Sequence, residues 1–98
     1  HGRLLLLDEP LAGLDWHHQV GLLALLKELV AQGLLVLLSI HAFNLAAWYA
    51  DELLCLERGK LVAQGAVSIL NSALIARLFK VQTECIEQGG RPVYVPRL

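Results

Sequence analysis

Leu4–Asp15 reads LLLLDEPLAGLD, four leucines that run directly into two adjacent carboxylates, a proline and a glycine-containing loop. An apolar run with no polar alternation suits a strand covered on both faces, as in a parallel sheet flanked by helices. Its carboxyl end delivers Asp8 and Glu9 side by side, where open α/β sheets keep their ligands. Successive strand side chains point opposite ways, so the two acids cannot share one direction if the strand continues through them. One can hold a hydrated metal while the other addresses a water. Pro10 stiffens the turn after them, and Gly13 lets the backbone bend closely.

Downstream, Asp15 is placed to N-cap an amphipathic helix over residues 16–32, with Leu22, Leu23, Leu26, Leu29 and Val30 on one side. Gly33 is a helix stop. Residues 34–40 form a second apolar strand, so strand, helix and strand make a right-handed parallel crossover. His41 then falls just past the second strand, on the same edge as Asp8 and Glu9. A short helix over 44–50 follows, then a hairpin of 52–56 and 60–63 around Arg58-Gly59, which Gly65 ends. Residues 67–79 read as helical with a break near Asn71-Ser72. The tail, 81–87 and 91–95 around Gln88-Gly89-Gly90, reads as a final hairpin.

The 98 residues make at most one small domain. Hydrophobic residues at 56% against 17% charged leave two explanations, a membrane segment or a piece of a larger fold with interior faces bare. Residues 29–50 lack Asp, Glu, Lys and Arg and are nominally long enough to span a bilayer. Gln32, Ser39, His41 and Asn44 would need partners in hydrocarbon, and Gly33 divides the run, which argues against a span. A net charge of −1 offers no basic footprint for nucleic acid. Cys55 and Cys85 are far apart with no CxxC, as buried thiols in a reducing cytosol would be. No signal peptide is visible, and the start at His1 rather than Met suggests an internal start with upstream sequence lost.

The acids and the histidine have a chemical logic together. An Asp ending an apolar strand is how phosphate-binding NTPases hold Mg²⁺, commonly through its water shell. Glu9 beside it can polarise the water that attacks a terminal phosphate, help worth roughly 10²–10⁴ in rate. His41 can donate a hydrogen bond where charge builds up. Each feature also has a plainer reading: a solvated turn for Asp8-Glu9, capping or packing for His41, core for the helix leucines, packing for Trp16 and Trp48. His17 and His18 diverge by about 100° on a helix, so they form no two-point ligand set and are solvated or dimer-facing.

LLLLDEPLAGLD resembles the Walker B strand and D-loop of ABC-transporter ATPase subunits. LLVLLSIHAFNLAAWYADELLCLERGKLVAQG resembles their switch-histidine strand, the helix after it and the following hairpin. The resemblance runs from about Leu4 to the tail. It implies an α/β fold, the carboxyl-terminal part of a RecA-like P-loop NTPase domain with parallel strands, a crossover helix and β-hairpins, and residues 1–98 as one partial domain. It implies Asp8 as the Mg²⁺-associated acid, Glu9 as the catalytic carboxylate and His41 as the switch histidine, all three meeting ATP. Ala12, Gly13, Leu14 and Asp15 become the loop that meets a second ATPase subunit in a head-to-tail homodimer. The implied partners are transmembrane permease subunits and, indirectly, a periplasmic substrate-binding protein, with the chain peripheral on the cytoplasmic face of the inner membrane.

Departures from the family pattern are Leu11 in place of Thr or a small residue, Trp16 in place of Pro or Val, and Ala42 in place of the acid after the switch histidine. The sequence holds no GxxxxGK loop, no Gln-containing loop and no LSGGQ signature. Without the phosphate-cradling loop and its Lys, the 98 residues alone are not expected to bind ATP tightly. HxxN, AxxYAD, ERGKLVAQG, RPVYVP and the His18-Gln19 pair are similar to ATPases of importers for cobalamin, siderophore iron and haem, cobalamin being slightly favoured. The alternatives from other classes are a non-enzymatic remnant or interaction module, and a small membrane protein.

Overall fold

The computed structural model describes residues 2–97, and the chain divides into two compact units, His1–His41 and Ala42–Leu98. In the first, the leucine run is β1 (Leu4–Leu7), helix α1 (Trp16–Ala31) follows the carboxylate turn, and β2 (Leu35–Leu38) returns. β1 and β2 pair in parallel with Leu4 opposite Leu35 and Leu7 opposite Leu38. Asp15 caps α1 as its sequence position predicts, accepting the His18 N–H at 2.9 Å. Gly33, at φ +99°, takes the left-handed turn that ends the helix segment.

Leu23 and Leu26 of α1 are buried, while Val30 is exposed. Leu5, Leu7, Val36 and Leu38 are half-buried on the sheet face where α1 packs. The other face is bare: Leu4, Leu6, Leu35 and Leu37 are 55%, 63%, 65% and 46% exposed. The expectation of strands covered on both faces is therefore met on one face only, because α1 is the one helix among this unit's described residues.

The second unit contains α2 (Phe43–Tyr49), β3 (Glu52–Glu57), β4 (Lys60–Ala66), a 3-10 turn (Val67–Ile69), α3 (Ser72–Phe79), β5 (Thr83–Gln88) and β6 (Arg91–Pro96). Both antiparallel hairpins turn through two residues at positive φ, Arg58-Gly59 and Gly89-Gly90, the signature of a type I′ turn. β4 runs further than its sequence suggested. Gly65 stays in the ladder opposite Leu53 instead of ending it. The Ile69 side chain lies 3.1 Å from where a Cβ at Gly65 would sit, so glycine here answers a close approach rather than a stop. A register shift between Cys55 and Leu56, with Val62 left between their partners, adds the extra residue of a bulge.

Leu70, Ile75 and Tyr94 form the core of this unit, with Phe43, Ala47, Leu53, Leu74, Phe79 and Val81 against it. The helical stretch breaks at Leu70-Asn71, and Asn71 caps α3 through the Leu74 N–H at 2.8 Å. On β6 the hydrogen bond from Arg97 N–H to Gln82 C=O sets the alternation of the β5–β6 ladder, leaving 92, 94 and 96 with backbone groups turned outward. Two of those outward positions are Pro92 and Pro96, which therefore cost the ladder no bond. Helix α2 covers this row: Asn44 donates to Tyr94 C=O at 2.9 Å and accepts from Tyr94 N–H at 2.7 Å, and Trp48 Nε1 donates to Pro92 C=O at 2.7 Å.

Candidate active site

The parallel register puts the residues after β1 beside those after β2. The ladder continues through the Ser39 N–H to Leu7 C=O bond of 3.1 Å, which sets Asp8 beside Ser39. The Ser39 hydroxyl donates to Asp8 Oδ1 at 3.0 Å and accepts the Glu9 N–H at 2.6 Å. Two residues further on, His41 Nε2 donates to Glu9 Oε1. Each acid is thus met from the end of β2 by its own partner, Asp8 by Ser39 and Glu9 by His41. The strand does not continue through the acids: β1 stops at Leu7, and Glu9 turns to φ +46°. That conformation is uncommon for a non-glycine residue and runs against the extended preference of a residue before proline.

Pro10 follows as the second residue of a turn closed by Ala12 N–H to Glu9 C=O at 3.1 Å, and Leu14 N–H to Leu11 C=O closes the next at 3.1 Å. Gly13 takes φ +79° there. Leu11 is buried, and its carbonyl accepts Gln19 Nε2 of α1 at 3.2 Å, tying the loop to the helix. Ala12, Gly13, Leu14 and Asp15 are all exposed. The Asp15 carboxyl is held below its ordinary pKa by the His18 backbone N–H first and by the His18 ring second, whose Nδ1 lies 2.7 Å away. His17 stacks edge-on against His18, centroids 5.4 Å apart. Among the described residues no group of three or more His, Cys, Asp or Glu is arranged to hold a metal ion.

No protein-family model matches the chain. Over 97 residues it is 36% identical to the hemin import ATP-binding protein HmuV of Rhodopseudomonas palustris strain BisB18, covering 97% of the chain and 36% of that protein. It is 40% identical over 97 residues to the ferric enterobactin transport ATP-binding protein FepC of Escherichia coli K12, covering 95% of the chain and 36% of that protein. A solved structure of a metal-chelate type ABC transporter in an inward-facing conformation superposes with a TM-score of 0.82 at 26% identity, over 98% of this chain and 41% of that one. The chain belongs to the ABC-transporter ATP-binding family. It spans about a third of the length of the curated relatives it matches.

The ABC-family motifs seen in the sequence have definite places in the fold. Asp8, Glu9 and His41 meet at neighbouring strand ends, and Ala12–Asp15 forms the exposed loop between β1 and α1. Sequence reasoning missed Ser39 and Gln19 as parts of this arrangement. A serine between Leu38 and Ile40 carries no periodic signal; only its position opposite Asp8 in a parallel register marks it. Both members of the Glu9–His41 pair are open to solvent, with side chains 48% and 77% exposed.

Proposed function

We propose that this chain supplies the hydrolytic half-site of an ATP-binding subunit that energises an importer of an iron chelate, haem or a ferric siderophore. The observation that carries the reading is the hydrogen bond from His41 to Glu9 across the ends of two parallel strands, with Asp8 fastened beside it. The names of the relatives favour haem and ferric siderophore over the cobalamin preferred on sequence grounds. In either case other subunits choose the cargo.

In this reading Glu9 takes a proton from the water as it attacks the terminal phosphorus, and ADP leaves from the opposite side. His41 holds the Glu9 carboxylate in place, its Nε2–H donating to Glu9 Oε1 at the edge where charge develops on the phosphate oxygens. Asp8 offers hard carboxylate oxygens, and one carboxylate together with nucleotide phosphates is the donor set Mg²⁺ commonly takes. Asp8 would hold that ion, commonly through its water shell, and the ion supplies charge neutralisation on the phosphates. The exposed Ala12–Asp15 loop is the surface that would meet the second subunit of a head-to-tail dimer. The P-loop and signature loop of the family would complete the site, and permease subunits would receive the closure at the cytoplasmic face of the membrane. No helix among the described residues is long and apolar enough to cross a membrane.

The test is a full-length subunit in which residues 2–97 replace the matched segment of a relative. Glu9→Gln is expected to leave nucleotide binding intact and to lower turnover by about two orders of magnitude or more. Turnover within a few-fold of the parent removes Glu9 from the role of base.

A further inference from the structure

We propose that Ser39 is a positioning residue for the water-activating carboxylate, its single hydroxyl fixing the backbone from which Glu9 projects. The proposal rests on the reading of Glu9 as the base. Glu9 stands at φ +46° immediately before Pro10, a conformation that neither its Cβ nor the following proline ring favours. Such a residue persists only where its surroundings over-determine it. The supports are countable. Its carbonyl accepts from Ala12, a bond local to the turn. Its carboxylate accepts from His41, a side chain on the loop after β2. Its backbone N–H donates to Ser39 Oγ, a bond that ties the Asp8–Glu9 peptide itself to the residue just past β2.

A hydroxyl suits this task because it carries one proton and spare lone pairs. The Glu9 N–H uses a lone pair, and the proton goes to Asp8 Oδ1 at 3.0 Å, so accepting from one acid and donating to the other are compatible. The Asp8 carboxylate and the Glu9 backbone are thereby set relative to each other by a shared atom, in a register fixed by Leu7 opposite Leu38. Alanine at 39 would leave the ladder intact and remove only that shared atom. Threonine would keep it, and the position is exposed enough to accept a methyl group.

In the full-length chimeric subunit, Ser39→Ala is expected to lower kcat by about ten- to a hundredfold, the scale of a misplacement near 1 Å. The KM for ATP should stay within about twofold, since the nucleotide-binding loops are untouched. Ser39→Thr should keep at least about half of the parent kcat. In nucleotide- and metal-free protein, the Glu9 amide should exchange with solvent about tenfold faster in Ser39→Ala than in the parent or the threonine variant. A Ser39→Ala kcat equal to the parent's, a threonine variant as slow as the alanine one, or unchanged Glu9 exchange overturns the proposal. Glu9→Gln measured alongside separates the two claims. If it is inactive while Ser39→Ala is unimpaired, the Ser39 role alone falls; if it stays active, the reading of Glu9 as base falls and takes the Ser39 role with it.

Discussion

Asn44 offers the sharpest quantitative test of the second unit. Its side-chain amide does for Tyr94 what a neighbouring strand would do, giving one hydrogen bond to the carbonyl at 2.9 Å and taking one from the N–H at 2.7 Å. Those groups face away from β5, so they have no other backbone partner to fall back on. Tyr94 is itself buried. Asn44→Ala removes two bonds worth about 1 kcal/mol each and strands a donor and an acceptor with restricted access to water, for a total loss of about 2–4 kcal/mol. In a domain of this size that corresponds to a fall of roughly 8–30 °C in Tm. Asn44→Asp keeps the acceptor but sets a carboxylate against the Tyr94 carbonyl, and should lose at least as much at neutral pH. Urea unfolding followed by Trp48 fluorescence in a Trp16→Phe background reads this unit alone, since Trp48 lies on α2 against Pro92. A loss below about 0.5 kcal/mol, the range of ordinary surface substitutions, would refute the argument.

Acid should separate a second pair of proteins. Because the Asp15 carboxyl titrates below its ordinary value when folded, its cap contributes fully above the unfolded carboxylate pKa and is lost as pH falls through the lowered one. Thermal midpoints of the parent and Asp15→Ala should therefore differ at neutral pH and converge in acid; a gap that does not change with pH contradicts the capping account. The two thiols should part by reactivity: Cys85 is exposed, whereas Cys55 is buried and its thiol pKa is pushed up by desolvation. A maleimide should label Cys85 first and Cys55 only on unfolding, and equal labelling rates by mass spectrometry would contradict the placement of β3.

The carboxylate turn, the Asp15 cap and the parallel pairing of the two apolar strands were all legible, because each rests on a local pattern that chemistry restricts tightly. His41 was placed correctly by counting to the end of β2, and the Arg58-Gly59 and Gly89-Gly90 turns by composition. Ser39 was not legible, since its role arises from a register thirty-one residues away in sequence and not from its neighbours. Gln19 is similar: nothing in a helical glutamine says that it will find the Leu11 carbonyl. Gly65 misled because a glycine after a strand usually means a stop, whereas here the cause is the Ile69 side chain. The row at 92, 94 and 96 was available in principle. Prolines spaced by four in a hairpin strand mark the positions whose amides the ladder does not need.

That row has a consequence for how β6 behaves in company. A strand offers itself to other chains through the N–H groups along its free side, and Pro92 and Pro96 have none to offer. The amide between them is already taken by Asn44. The β6 side of the tail hairpin thus offers no free N–H from Pro92 to Pro96, so an incoming β-segment finds no row of donors along that side on which to start a cross-β stack.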